Sequence, residues 1–114
     1  MGSTMRNAYT AVLARGELWE NSAHTEPYEA AWASEAIFFV RVMEAQGTGK
    51  ALARVQISPD GMHWVDEGTE FSIAGQAEAL SFARVREFGG WLRLAVQIPA
   101  GLGISVVVTL ALKA

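Results

Sequence analysis

The sequence predicts an all-β protein, an antiparallel β-sandwich of the jelly-roll type with seven or eight strands. Apolar and polar residues alternate with a period of two in most segments, as strands with one buried face require. Glycine and proline turns separate these segments at short, regular intervals. Convincing helical periodicity is absent, and the short connections favour antiparallel pairing because parallel strands need long crossovers.

The 114 residues suffice for one domain with a single core. We expect residues 1 to 7 to form a flexible N-terminal arm and residues 8 to 114 to form the single β-sandwich domain. Tyr9 to Glu20 alternates as a first strand, with Gly16 as a bulge or bend.

The next two segments are less regular. Asn21 to Pro27 is polar and predicts a loop. Tyr28 to Trp32 fits a short strand, although the alanines and glutamates that follow Tyr28 also favour a helical turn.

Glu35 to Gln46 predicts the longest regular strand. One face carries Phe38, Val40 and Val42, and the other carries Phe39, Arg41 and Met43. Because the second face is also largely apolar, we expect another chain or a loop to cover it.

Ala51 to Glu67 predicts a β-hairpin, and Gly47 to Lys50 predicts a second hairpin turn that leads into it from the preceding strand. The hairpin reverses at Ser58, Pro59, Asp60 and Gly61, because proline presets φ, aspartate accepts backbone hydrogen bonds and glycine tolerates positive φ. We expect Trp64 to enter the returning strand as its largest apolar anchor.

Three further strands complete the prediction. Leu80 to Glu87 has no settled register, because Phe82 and Val85 cannot share one regular face. Trp91 to Ile98 alternates with its leucines inward, and Ile104 to Leu112 is β-branched and nearly free of charge. An edge position would expose this last strand to pairing with other chains, so it is either central or part of an assembly.

Composition excludes several functions. A net charge of −3 argues against nucleic-acid binding, which needs a surplus of lysine and arginine. The chain has no cysteine, so disulfides, thiolate metal sites and cysteine nucleophiles are excluded. We recognise no signal peptide and no membrane-spanning run, and we expect a cytoplasmic or virion location.

Catalytic and cofactor motifs are also missing. His24 and His63 stand alone, without a second histidine at metal-ligand spacing. The acidic residues between 60 and 70 lack the spacing of a calcium loop. Gly47 to Lys50 joins two predicted strands and lacks the full phosphate-loop spacing. We therefore predict no enzyme, no metal and no cofactor.

The four tryptophans, Trp19, Trp32, Trp64 and Trp91, allow two interpretations. They fill the core and the gaps at strand ends, or some of them lie exposed and stack on sugar rings or a protein partner. Trp91 shares its predicted outer face with Arg93, and an aromatic-plus-arginine face suits a glycan or a protein equally well.

The segment Ser58-Pro59-Asp60-Gly61-Met62-His63-Trp64 resembles the S-x-D-G-x-x-W hairpin of small β-sandwich proteins from tailed phages and prophages. The later segment Trp91-Leu92-Arg93-Leu94 is similar to their arginine-bearing strand. The resemblance covers Phe38 to Leu112 in pattern and implies a structural protein of capsids, tails or shells. The hairpin is also similar to the Asp-box of propellers, but it lacks the residue between Asp and Gly and does not repeat.

These observations predict a non-enzymatic structural protein that self-assembles or decorates a larger shell, such as a phage capsid or tail or a virus-like particle. Its expected partners are copies of itself or a shell protein. The candidate interface residues are Phe39, Arg41, Met43, Trp91 and Arg93, and the structural turn is formed by Ser58, Pro59, Asp60, Gly61 and Trp64. The alternative is a carbohydrate-binding module that uses Trp91 and Trp32 as stacking platforms.

Overall fold

The structure, a computed structural model, describes residues 8 to 114. Residues 1 to 7, for which the sequence predicts an arm, lie outside the described residues. The nine strands are β1 (Ala8–Glu20), β2 (Ser22–His24), β3 (Tyr28–Glu29), β4 (Glu35–Gln46), β5 (Lys50–Ser58), β6 (Val65–Ala74), β7 (Leu80–Arg86), β8 (Trp91–Gln97) and β9 (Gly103–Lys113).

Two antiparallel sheets face each other across the core. The first sheet has the strand order β1-β9-β4-β7, and the second has β2-β8-β5-β6, with β3 also paired to β8. Successive strands mostly alternate between the sheets, which is the jelly-roll arrangement. The predicted fold class is confirmed. Residues 8 to 114 contain no helix that could cross a membrane.

The core lies between the two sheets and is filled by alternate residues of the long strands. Along β4 the buried residues are Ala36, Phe38, Val40 and Val42, and β9 supplies five inward side chains in a row. The largest fully buried side chains are Phe38, Ile73, Leu92, Leu94, Ile104, Leu110 and Leu112. The period-two alternation in the sequence therefore correctly identifies which side chains of the long strands lie in the core.

The structure has nine strands, against the seven or eight predicted from the sequence. The predicted loop from Asn21 to Pro27 contains β2, which pairs with β8 over only three residues. So short a strand shows no periodicity of its own and forms because β8 offers an open edge. The predicted strand from Tyr28 to Trp32 is reduced to Tyr28–Glu29, since Ala30 is already buried and a turn follows.

Strand β9 is central in the first sheet, between β1 and β4. Both of its edges are paired along almost their whole length, from Gly103 to Lys113. Of the two sequence-based alternatives for this charge-poor strand, a central position is thus the one observed. Its lack of charge reflects burial within the sheet and is not by itself a sign of oligomerisation.

The hairpin turn predicted at Gly47 to Lys50 is wrong, because β4 lies in the first sheet and β5 in the second, so this loop crosses between the sheets. The β4–β5 and β8–β9 loops touch at one end of the sandwich. Gly47 has a φ of 87°, and a Cβ on it would lie 1.8 Å from the carbonyl oxygen of Gly101. The nearby Leu102 is buried, and the Gly75 N–H donates to the Gly49 carbonyl oxygen at 2.9 Å. This end of the core is therefore sealed by backbones in direct contact.

Candidate functional site

The turn between β5 and β6 is held by hydrogen bonds to two side chains, Ser58 and Asp60. Ser58 Oγ accepts the backbone N–H groups of Asp60 at 3.2 Å and Gly61 at 2.8 Å, and it donates to Asp60 Oδ1 at 3.0 Å. Asp60 Oδ1 also accepts the N–H groups of Met62 and His63, both at 2.8 Å. Gly61 has a φ of 79°, which glycine adopts without steric cost. The predicted turn residues thus act together as one rigid connection.

These donors change the acidity of Asp60. The backbone N–H groups of His63 and Met62, with the ring of His63 next, hold the pKa of the Asp60 carboxyl well below its usual range. Because the folded-state pKa lies below the unfolded-state value, the carboxylate stabilises the fold fully above about pH 4. That stabilisation is lost as the pH falls further.

We expect Asp60→Asn to weaken the dependence of stability on pH between about pH 5 and pH 2, because the substitution removes the charge that this turn binds. The measurement is the midpoint of urea unfolding as a function of pH. Glu26→Gln, at an exposed loop carboxylate, serves as the control. Equal acid sensitivity of Asp60→Asn and the unsubstituted protein would contradict this role of the turn.

The outer face of the second sheet carries a polar network centred on Arg93. The guanidinium of Arg93 lies 4.3 Å from the centroid of the Trp64 ring, within the range of a cation–π contact. Its Nε donates to Gln56 Oε1 at 2.8 Å, and Gln56 Nε2 donates to Asp66 Oδ1 at 3.0 Å. Trp64 precedes β6 by one residue and is half-buried on this face, so it does not enter the returning strand as expected.

Trp91 lies beside the β5–β6 turn. A Cβ on Gly61 would be 3.2 Å from both Cδ2 and Cε2 of the Trp91 indole. The turn therefore covers part of this ring, and Trp91 is itself half-buried. Its apolar surface stabilises the hairpin, which leaves less of it to stack on a ligand.

The outer face of the first sheet has the opposite character. One cross-strand row runs through all four strands in the register Val12, Thr109, Phe39 and Phe82. The rings of Phe39 and Phe82 lie 6.2 Å apart, centroid to centroid. The exposed fractions of Phe82 and Val12 are 56% and 39%. We call these four residues the apolar row.

Further apolar residues and arginines flank the apolar row. On one side the next cross-strand row contains Arg15, Val107, Arg41 and Leu80, and on the other side it contains Thr10, Ala111, Ile37 and Arg84. Leu80 is 65% exposed. Arg41 pairs weakly with Glu78, with 3.9 Å between Nη2 and Oε2. An apolar strip that is interrupted only by Thr109 and bordered by arginines is unusual on a solvent-exposed sheet and is typical of an interaction surface.

The structure separates the five candidate interface residues. Phe39, Arg41 and Met43 project from β4 on the outer face of the first sheet, and Met43 lies at a bulge. Trp91 and Arg93 lie on the outer face of the second sheet. The two groups are therefore on opposite sides of the sandwich and cannot contact a single flat partner together.

Sequence reasoning missed Val12, Leu80 and Phe82 as parts of this surface. The signal for β7 was present in the alternation of Leu80, Phe82 and Arg84 with the buried Ala83 and Val85. The large Phe82 suggested a core position and the small Ala83 did not, which concealed the true register. Alternation places Val12 on the face opposite Leu13, but the bulge that follows it in β1 means that spacing alone does not give its cross-strand neighbours.

Three aromatic side chains, Tyr9, Tyr28 and Trp32, line a shallow cavity of about 390 Å³. Tyr9 belongs to the first sheet, Tyr28 pairs with β8 in the second, and Trp32 follows in the loop before β4. Burial, with the neighbouring Tyr9 as a smaller cause, raises the pKa of the Tyr28 hydroxyl. Only Trp32 of this group was singled out from the sequence.

Titratable residues do not converge on a reactive centre in the part of the chain that the structure describes. The two histidines, His24 and His63, lie on opposite edges of the second sheet, and His63 Nδ1 lies 2.7 Å from Asp60 Oδ2. No three side chains of the metal-ligating types cluster between residues 8 and 114. A larger groove of about 650 Å³ lies between β1 and the second sheet, and among its lining residues Gln56 donates to Asp66 while Arg54 bonds Glu70.

No protein-family model matches the chain, and no curated protein matches it in sequence. Solved structures do share its fold. The crystal structure of SPBc2 prophage-derived protein YomS has a TM-score of 0.59 at 8% identity, over 97% of this chain and 96% of that one. The resemblance to β-sandwich proteins of phages and prophages is thereby confirmed at the level of the fold.

Two other solved structures show how widely the fold is used. The infectious bursal disease virus VP2 subviral particle gives a TM-score of 0.62 at 13% identity, over 97% of this chain and 33% of that one. The CBM36-1 domain of a multidomain xylanase from the hindgut metagenome of Trinervitermes trinervoides gives 0.57 at 12% identity, over 92% and 96%. Because all three identities are low, the likeness establishes architecture alone.

Proposed function

We propose that this chain is a non-enzymatic structural protein that self-assembles or decorates a larger shell of the phage or virus-like type, in a virion or in the cytoplasm where one is assembled. The apolar row on the outer face of the first sheet is the observation that carries the proposal. Phe82 and its neighbour Leu80 are more than half exposed, in a strip that reaches both edges of the sheet. Burying such a strip against another protein removes apolar surface from water.

The contrast between the two sheets supports this role. On the second sheet, Arg54 and Glu70 form an ion pair at 3.3 Å, and the Arg93 network satisfies the neighbouring polar groups. That face is suited to water. The first sheet offers side chains whose burial has no such polar alternative, so association should use this face. The infectious bursal disease virus VP2 subviral particle, which contains this fold, provides a precedent for assembly.

The test is sedimentation velocity over a wide range of protein concentration. We expect the unsubstituted protein to associate and Phe82→Glu to shift the population strongly toward monomer, with little change in the thermal midpoint. Met62→Glu is the matched control, because Met62 is 74% exposed but lies in the β5–β6 turn. A protein that stays monomeric at every concentration would argue against self-assembly, and equal effects of the two variants would exclude this face.

The aromatic cavity favours a second candidate, a carbohydrate-binding module. Tyr9, Tyr28 and Trp32 present ring faces and hydroxyls of the kind that stack on and hydrogen-bond sugars. The xylanase CBM36-1 domain shows that a module with this fold occurs in an enzyme directed at polysaccharide. A glycan array would separate the two candidates: Trp32→Ala should abolish any glycan signal, whereas Trp91→Ala should change it less.

A further inference from the structure

We infer that two copies of this chain pair face to face through the outer faces of their first sheets, about a twofold axis that runs parallel to the strands between β9 and β4. This inference rests on the proposed self-association and adds the geometry of the pair. It follows from three properties of the face: its stepped shape, its charge pattern and its area.

The middle of the face has a high side and a low side. Strands β4 and β7 project large side chains, and β9 next to them projects small ones from Ser105 to Ala111, with Lys113 only at its end. The large residues are Ile37, Phe39, Arg41, Leu80, Phe82 and Arg84, and the small ones on β9 are Ser105, Val107, Thr109 and Ala111. A step of this kind cannot pack tightly on a flat surface, but it fits a second copy turned so that high meets low.

The proposed twofold axis does bring high onto low. It places β4 over β9 of the partner and β7 over β1 of the partner. Phe39 then faces the partner's Thr109, and Phe82 faces the partner's Val12. The alternative is a perpendicular axis, which crosses the strands in the plane of the interface and runs along the apolar row. It would stack Phe39 on the partner's Phe39 and Thr109 on the partner's Thr109, and this leaves gaps beside the crowded rings.

One pair of charges distinguishes the two axes. The arginines do not, because Arg41, Arg15 and Arg84 face uncharged residues of the partner under either axis. At the end of the face, Lys113 lies opposite the partner's Glu35, a pair of unlike charge. The perpendicular axis would place Glu35 opposite the partner's Glu44, which is unfavourable.

The area is sufficient for a specific dimer. The four strands contain 13, 11, 12 and 7 residues, and with a spacing of about 4.8 Å between strands and a rise of about 3.4 Å per residue they cover roughly 700 Å². A standard specific interface buries about 800 Å² on each partner. Two twisted sheets pack face to face about 10 Å apart in this way within many sandwiches.

The test uses site-directed cross-linking, for which the chain is well suited because it has no cysteine. Thr10→Cys and Arg84→Cys are prepared separately, mixed, and treated with a short bifunctional maleimide. Both positions are exposed and lie outside the apolar row. We expect a cross-linked dimer that contains one chain of each variant. The matched mixture of Leu80→Cys with Arg84→Cys should give little cross-linked dimer, because these two residues meet only under the perpendicular axis.

A second variant reports on the step itself. Thr109→Phe should weaken the dimer roughly tenfold or more, since the new ring would collide with the partner's Phe39. Under the perpendicular axis the same ring would fill a gap and strengthen the dimer. Cross-linking by the Leu80 mixture, or a strengthened Thr109→Phe dimer, would overturn the inferred geometry while leaving self-association intact. Absence of any dimer in sedimentation would instead remove the proposed function itself.

Discussion

Gly47→Ala should destabilise the protein by about 2–5 kcal/mol, one of the largest effects expected for a single methyl group in this chain. The φ of 87° at this residue strains any residue that has a Cβ, at about 1–2 kcal/mol. The added Cβ would also lie 1.8 Å from the Gly101 carbonyl oxygen, so one of the two loops would have to move. Because Leu102 is buried beside this contact, movement there would loosen that end of the core.

Gly101→Ala is the matched control. Gly101 has nearly the same φ, 85°, but a Cβ on it would meet nothing within 4 Å. It should therefore lose only the backbone contribution of about 1–2 kcal/mol. The measurement is the free energy of unfolding from urea titration of both variants. Equal losses in the two variants would show that the loops do not press on each other, and that the glycine at position 47 serves only its own turn.

This pair of glycines also shows where sequence reasoning ends. The turn at Gly47 follows from local chemistry, because glycine between two alternating segments predicts a chain reversal, but the hairpin expected there is wrong, since β4 and β5 lie in different sheets. The contact with Gly101 depends on how the β8–β9 loop arrives at the same end of the sandwich. No local pattern contains that information, since it arises from the order of strands in two sheets.

The strands themselves were largely predictable. For β4, β8 and β9 the alternation is strong enough to give both the bounds and the buried face, because each has a continuous set of inward aliphatic or aromatic residues. Strand β7 was ambiguous because its inward residues, Ala83 and Val85, are smaller than the outward Phe82. Residue size is a poor guide when a large apolar side chain faces outward.

The candidate surface could be predicted only in part. Phe39 was identified because a strand with two apolar faces needs a second cover. The apolar row also requires the register of three strand pairs, which brings Val12, Thr109 and Phe82 into line with Phe39. Register over such separations is set by the whole sheet, so the row is a property of the fold and not of any one segment.

Phe38→Ala and Phe39→Ala should give opposite phenotypes although the residues are adjacent. Phe38 is completely buried between the sheets, so its truncation leaves a cavity and should cost about 3–5 kcal/mol of unfolding free energy. Phe39 lies on the outer face against Phe82, where its truncation should cost the single chain only about 1 kcal/mol. Urea unfolding under dilute, monomeric conditions measures both values.

Association should respond in the reverse order. Phe39→Ala removes the central aromatic ring of the proposed contact, and truncation of a central, buried aromatic at an interface typically costs at least about 2 kcal/mol, roughly thirtyfold in the dissociation constant. Phe38→Ala leaves the outer face chemically unchanged. At a temperature where this variant stays folded, the dissociation constant of its dimer should therefore stay within about threefold of the original value. Sedimentation at matched concentrations measures both constants. If Phe39→Ala lowers stability as much as Phe38→Ala and leaves association unchanged, β4 does not use its outer face for assembly.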